Sequence, residues 1–553
     1  MTWNEQNKAH SIADVLEGTV EEWYDQVDGL LKASDFIPGN YEYSINVSYA
    51  NSGKFQEGGQ THVDIGCDRF KLISLDNSYI SLEIDIPVTI PKLDAQAGRF
   101  RVKRYYIGFK SAFDAIDSYR IYSNSDLIQT QNHANYESYL QYMSLSDVAK
   151  ENSELYATYN KVQSCNEDVP GIYIDLDKLG LNTEATITLP LKLRIPLNQF
   201  LMFANLKWFP GFFGRFTLEI YPSYKNLVVC PIINDIIINE NTAVSDTACK
   251  ASELATLDID DKGSNLFGFR QINTPVVAAI DVAADADKTK TIETGIFTCN
   301  TSETTKCHLR LAETVVRMDV YNQVMARFIN QPMLFPIQTI ISKDFSGTMP
   351  GNDKGQINMT MTNALNHCNS MFIIFKRSHH DRTCFENPMI KWQVNIDGKF
   401  FPREEYQTFN DHKNINLFLD ATNFNGNGLF SVPNDIYHSL QPITRVHKWG
   451  DNNKFNETLT YPVKDRSNFA IGIPFCEDDT FQAGIHTGGT VQVELRGSRT
   501  EHFPTLYATT NPTGLYVEDC ILKLRAVKPS GEPQITFTHA TPEQLLSSAV
   551  IAN

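Results

Sequence analysis

The sequence predicts an all-β chain of two consecutive β-sandwiches, with short helices in the connections and at both ends. Three observations point there. At 553 residues the chain outruns a single core, which stops growing near about 250–300 residues. Its 42% hydrophobic and 20% charged residues can fill two cores and exclude a disordered chain. Long stretches alternate apolar and polar residues with a period of two, and aromatic residues reach 11%, a makeup that suits strands better than helical bundles.

Residues 1–38 stand apart as an acidic amphipathic arm. Ser11 with Asp14 and Thr19 with Glu22 resemble helix-opening capping boxes. Val20, Trp23, Tyr24, Val27, Leu30 and Leu31 then follow helical spacing, with Glu17, Glu21, Glu22, Asp25 and Asp28 between them. The arm packs either on its own domain or on a neighbour. A first sandwich is expected over 39–240. In it Ile80, Leu82, Ile84, Ile86 and Val88 form one alternating run, and Ile187, Leu189, Leu191, Leu193, Ile195 and Leu197 form another. Pro190 and Pro196 on the polar side of the second run predict an edge strand. Phe216, Leu218 and Ile220 continue the pattern, and residues 133–160 read as a helix with Tyr136, Tyr139, Leu140 and Met143 on one stripe.

The polar, irregular stretch 241–265 is expected to be a linker, and 266–538 a second sandwich. Its strands are marked by Ile340 and Ile341, Ile373 and Ile374, Trp392 and Val394, and Val491, Val493 and Leu495. Asn395-Ile396-Asp397-Gly398 and Asn425-Gly426-Asn427-Gly428 supply turns. Thr541-Pro542-Glu543-Gln544 opens a C-terminal helix and tail over 539–553. The halves also share a faint duplication. Ser118-Tyr119-Arg120-Ile121-Tyr122 matches Lys391-Trp392-Gln393-Val394-Asn395, and Gly214–Ile220 matches Gly489–Leu495 at nearly the same offset.

The formal net charge of −17, from 65 acidic and 48 basic side chains, argues against broad direct contact with nucleic acid or anionic membranes, because such binding needs basic surface. Ten scattered cysteines with no secretory leader before them read as free thiols in a reducing compartment, and no apolar run approaches the length of a membrane span.

Catalytic, cofactor and metal residues are all assigned as none. Asp258-x-Asp260-x-Lys262-Gly263 starts like a calcium loop, but Lys262 replaces an oxygen ligand and Phe269 stands where the bidentate Glu belongs. His367, Cys368, His379, His380, Cys384, Cys299, Cys307 and His308 supply soft-metal ligand types at spacings that match no compact zinc module. His380-Asp381 with a distant Ser or Cys is the sort of set any long chain contains. The dense basic run Arg99, Arg101, Lys103 and Arg104, interleaved with Phe100, Tyr105 and Tyr106, suits either single-stranded nucleic acid or, better in an acidic chain, acidic surface on a neighbouring subunit. Trp208-Phe209-Pro210-Gly211-Phe212-Phe213 is an apolar knot, either a sugar platform or packing beneath a loop.

In its order of elements the chain resembles the double jelly-roll major capsid proteins of virophages and Polinton-like DNA viruses. The resemblance runs from Asn77–Ile84 through Ile107–Phe113, Asp117–Tyr122 and the Tyr-rich Asn135–Leu140. It continues at Pro196–Tyr221, Asn387–Pro402 and Phe469–Leu495. It implies two jelly rolls, homotrimers of pseudo-hexagonal outline, an icosahedral shell, assembly inside a host cell, and minor capsid or penton proteins as further partners. Contact with a membrane is left open. The alternative is a carbohydrate-binding or carbohydrate-active two-sandwich protein.

Overall fold

The fold is taken from a computed structural model. It describes residues 41–49, 59–66, 71–92, 100–145 save 124, 170–176, 184–238 save 205, 269–281, 291–300, 303–316, 333–347, 355–376, 382–385, 390–408, 412–423, 469–475, 485–499, 512–525 and 534–538, with single positions between them. The expected arm at 1–38, the linker at 241–265 and the C-terminal helix at 539–553 lie outside these residues.

The first half contains β1 (Tyr41–Tyr49), β2 (Thr61–Ile65), β3 (Lys71–Ile90), β4 (Phe100–Gly108), β5 (Ile116–Ser123) and β6 (Asp126–Gln131). Helix α1 (Ala134–Ser144) follows, then β7 (Gly171–Asp175), β8 (Ala185–Pro196), β9 (Trp208–Pro210), β10 (Phe216–Pro222) and β11 (Val228–Ile238). Next come β12 (Arg270–Gln271), β13 (Pro275–Asp281), β14 (Thr291–Ile296) and β15 (Glu303–Val316). The second half runs β16 (Met333–Asp344), β17 (Gln356–Ala364), β18 (Cys368–Ile374), β19 (Ile390–Ile396) and β20 (Lys399–Gln407). It ends with α2 (His412–Asn423), β21 (Ile471–Pro474), β22 (Thr490–Arg499), β23 (Thr513–Arg525) and β24 (Gln534–Thr538).

Two alternating runs of sequence find each other directly. β3 pairs β8 antiparallel with Ile80 opposite Ile195, Leu82 opposite Leu193, Ile84 opposite Leu191 and Ile86 opposite Leu189. All eight side chains are buried, while the residues between them face outward. β8 ends its sheet, as its prolines require. The turn at Asp397-Gly398 takes positive φ at both positions, 49° and 83°, which lets β19 return as β20 through a tight hairpin.

The sheets order as β1-β15-β3-β8 and β2-β10-β5-β6 in the first half, and as β16-β23-β18-β21 and β17-β22-β19-β20 in the second. If β1, β2, β3, β5, β6, β8, β10 and β15 are counted as first to eighth, both halves read first-eighth-third-sixth and second-seventh-fourth-fifth. That is the eight-stranded jelly roll, present twice. The sequence duplication falls on equivalent strands. Tyr119 and Trp392 lie in the two fourth strands, and Phe216–Ile220 and Val491–Leu495 in the two seventh strands.

Of the remaining strands of the first half, short β9 pairs with β3 in the first sandwich, and the others are excursions. β4 lies between the third and fourth strands, β7 between the fifth and sixth, and β11 to β14 between the seventh and eighth. They join one another in a separate sheet, β12-β11-β4-β13-β14, with β7 also on β4. In an antiparallel sandwich, connections that leave odd-numbered strands all exit at one end, so three distant inserts can meet there. The excursion moves the division expected at 241–265. β15 returns to the first sandwich between β1 and β3, so the first roll closes at Val316 and the second opens at Met333.

The helix read over 133–160 is shorter. It ends at Ser144, whose hydroxyl donates to the Gln141 carbonyl in place of a further turn, and Tyr156 instead bridges to Ser111.

Candidate assembly interface

The two rolls meet along a seam built from the fifth strand and α1 of the first and the first strand of the second. Gln129 and Gln131, both buried on β6, send their side-chain amides to the backbone carbonyls of Gln338 (3.4 Å) and Ile340 (3.0 Å) on β16. Two sheet edges are thereby joined by side chains and not by a shared ladder. The long amides satisfy carbonyls that a buried edge would otherwise leave costly.

Helix α1 is the wedge of this seam. Tyr139 packs edge-on against Phe385 at 4.6 Å between centroids and donates its hydroxyl to the Phe469 carbonyl at 3.1 Å. Tyr136 touches Phe385 at 6.0 Å and carries the Lys376 ammonium 5.4 Å from its ring. Asn135 donates to the Arg382 carbonyl at 2.7 Å. Ten of the eleven α1 residues are buried, all but Gln141.

Charges rim the contact. Arg382 pairs with Asp117 on β5, and Lys376 pairs with Asp344 at 3.1 Å. Burial pulls the His133 imidazole below its usual range beside this cluster. Burial would push Asp344 up, but the Thr513 hydroxyl and the Lys376 ammonium outweigh it, so the carboxyl titrates lower than usual.

In each roll the helix that follows the fifth strand is anchored in the same way. In the first roll the fourth-strand Tyr119 donates its hydroxyl to Glu137 Oε2 of α1 at 2.9 Å. In the second, Trp392 Nε1 donates to Asn414 Oδ1 of α2 at 2.8 Å. Both aromatic rings are fully buried with their polar tips on the helix, and the Tyr119 hydroxyl also accepts from the Leu201 amide at 3.4 Å. Burial holds the Glu137 carboxyl well above the usual range. Nearby Asp114, which receives the Ser111 amide at 3.1 Å, is pushed up to about 7 by burial.

The other sequence candidates separate. Cys299, Cys368 and Cys384 are buried thiols, burial raises the half-buried Cys307 to about 12, and His379 and His380 lie outside the described residues. Among the described residues no group of three His, Cys, Asp or Glu is placed to hold a metal. Of the basic run, Arg101, Lys103 and Arg104 lie on β4, with Tyr105 and Tyr106 inside the core; Arg99 and the side chains of 100–104 lie outside the described residues. In the apolar knot Phe209 and Phe213 are buried, packing on Phe216 and Phe212, so these rings offer no sugar platform. Phe269, the residue that spoils the calcium loop, is a buried ring 5.4 Å below the Lys110 ammonium.

Sequence reasoning picked out the aromatic stripe of α1 but not Gln129, Gln131, Asn135 or Arg382. Polar residues that seal a seam leave no periodic signal. Among the described residues no helix is long and apolar enough to cross a membrane.

The strand order is that of a double jelly roll. The chain is similar to the mavirus major capsid protein at 12% identity, covering 91% of this chain and 92% of that one, with a TM-score of 0.46. It is similar to a chain of the Sputnik virophage at 9% identity, covering 91% and 90%, with a TM-score of 0.40. The Faustovirus major capsid protein follows at 8% identity, covering 87% and 90%, with a TM-score of 0.36. No protein-family model and no curated protein matches the chain.

Proposed function

We propose that this chain is a structural, non-catalytic protein, a major capsid protein that self-assembles as homotrimers of pseudo-hexagonal outline and builds an icosahedral virus shell. The observation that carries the reading is the repetition within one chain of the same eight-stranded sandwich, fused side by side through a sealed seam. Three such chains present six sandwiches of one kind. A closed ring of six like units tiles a curved sheet, and closed symmetric assembly is the usual fate of self-complementary surfaces.

The acidic balance supports a role in which the genome is not gripped directly, since phosphate neutralisation demands clustered Lys and Arg. The protein would reside in the virion after assembly inside the host cell. Five-fold vertices, which a six-unit ring cannot fill, would be occupied by penton or minor capsid proteins. Light scattering coupled to size exclusion, with negative-stain imaging, tests the reading. A trimer or larger species with hexagonal outline is expected at micromolar concentration, and a clean monomer would overturn it.

A further inference from the structure

The geometry points to a covalent latch between the rolls: Cys230 of the inserted sheet and Cys384 of the second roll form a disulfide within one chain on oxidation. The bond itself does not depend on the assembly reading above; only its timing rests on it.

The inserted sheet brings one of the two sulfurs. Across β7, β4 and β11, Tyr173 lies opposite Tyr106 and Tyr106 opposite Cys230, so these three side chains leave one face of the sheet. Val228, two residues before Cys230, leaves by the same face, as does its partner Gln271 on β12. Val229 between them turns to the main core instead. Phe269, beside β12, places its ring 5.9 Å from that of Tyr106.

The second roll brings the other sulfur, because residues 382–385 reach across onto this face. The Arg382 amide donates to Gln271 Oε1 at 2.5 Å, and the Arg382 guanidinium pairs with Asp117. The Arg382 carbonyl accepts from Asn135, and Phe385 packs on Tyr136 and Tyr139. The segment is thus pinned on both sides of Cys384. Two residues beyond Arg382, the Cys384 side chain enters a buried cluster whose other members are Tyr106, Val228, Cys230 and Phe269. Cys230 and Cys384 are 1% and 2% exposed, and both are thiols. A disulfide holds its Cβ atoms about 3.5–4.5 Å apart, within the reach of side chains packed in one such cluster.

A small peroxide is the oxidant that suits a buried pair, since a bulky glutathione disulfide has no room beside it. One sulfur, as thiolate, attacks a peroxide oxygen; the O–O bond breaks and a sulfenic acid forms. The second sulfur displaces the sulfenic oxygen, the S–S bond forms, and that oxygen leaves as water. Two thiols lose two electrons, the peroxide gains them, and two waters are released. Inside a reducing host cell the pair stays as thiols. On the capsid reading the bond closes after the particle leaves the cell. It then closes a loop of about 150 residues and ties the inserted sheet of the first roll to the second roll.

The test uses the full chain, treated with hydrogen peroxide or with dithiothreitol, alkylated and digested without reduction. Peroxide is expected to yield a linked peptide pair carrying Cys230 and Cys384, within a single chain by non-reducing electrophoresis. The melting temperature of the oxidised protein is expected to lie about 4 °C above that of the reduced protein. Cys384→Ala is expected to lose both the linked pair and the gain in melting temperature, and Cys368→Ala to keep both. Sulfenic or sulfinic acid at either position without the link, a link between chains or to another cysteine, or a gain that survives Cys384→Ala would overturn the latch. The wild-type peptide map decides the matter even where the Cys384 variant fails to fold. A monomer that forms the bond would overturn the assembly reading and leave the latch in place.

Discussion

The two sandwiches share strand order, helix position and the hydrogen bond that pins the helix, yet they solve the pinning with different chemistry. The first uses a phenol and a carboxyl, Tyr119 and Glu137; the second uses an indole and an amide, Trp392 and Asn414. An indole–amide pair does not titrate in the working range of a protein. The first pair is ionisable, sits in the fully enclosed wedge of the seam, and has Asp114 nearby. The roll that carries the inserted sheet and the inter-roll contact is therefore also the one whose helix anchor responds to protonation. The second roll is plainer, and its helix shows one clean face.

The comparison can be broken most severely at the second anchor. Trp392→Ala removes the largest fully buried side chain among the described residues and leaves Asn414 without its donor, so a loss of about 3–5 kcal/mol in urea unfolding is expected. Tyr119→Phe keeps the ring and removes only the hydroxyl. It leaves the buried Glu137 short of a donor, and about 1–3 kcal/mol is the expected loss. If the two anchors are equivalent, Trp392→Phe should cost less than Trp392→Ala and fall nearer the Tyr119→Phe value. Equal losses for both Trp392 variants would show that the indole hydrogen bond, and not its packing, carries the site.

Gly472→Ala tests the contact of α2 with its own sheet. A methyl there would come within 2.7 Å of the Phe418 Cα, which is backbone and cannot step aside alone. About 1–3 kcal/mol of destabilisation is expected, read as a lowered melting temperature.

A pH series separates the first roll from the second. Asp114 binds its proton more tightly folded, at about 7, than in the unfolded chain near 3.8. Its contribution is complete below the unfolded value and is lost as pH rises through about 7. Asp114→Asn keeps an acceptor for the Ser111 amide and removes the titration, so its denaturation midpoint should fall less steeply than the wild type between those limits. An unchanged slope would place the pH response elsewhere; Glu518, pushed up to about 7 by burial in β23, is then the group to replace. The smallest effect belongs to the surface. Glu404→Gln breaks an ion pair between two largely exposed partners and should move stability by less than about 1 kcal/mol.

Much of the architecture is legible before any coordinates. The alternating runs at Ile80–Val88 and Ile187–Ile195 are strands, and they pair in register because each has one apolar face to bury. The match of Tyr119 to Trp392 locates equivalent strands, since a large aromatic at a core position is kept by packing. The polar stretch near 241–265 misled, because an excursion from a sheet and a linker between domains have the same composition. Only strand pairing distinguishes them, and Thr314 opposite Tyr43 on one side and Leu72 on the other places β15 in the first roll.

Period and composition, then, determined the all-β class, the doubling and the edge position of β8, because alternation is a local property that each segment carries by itself. Tertiary structure alone decided where the first roll ends, which polar side chains seal the seam and why α1 is buried on every side while α2 is not. Those are facts about surfaces meeting. The free energy of such a contact depends on partners hundreds of residues away, and no stretch of sequence encodes its partner locally.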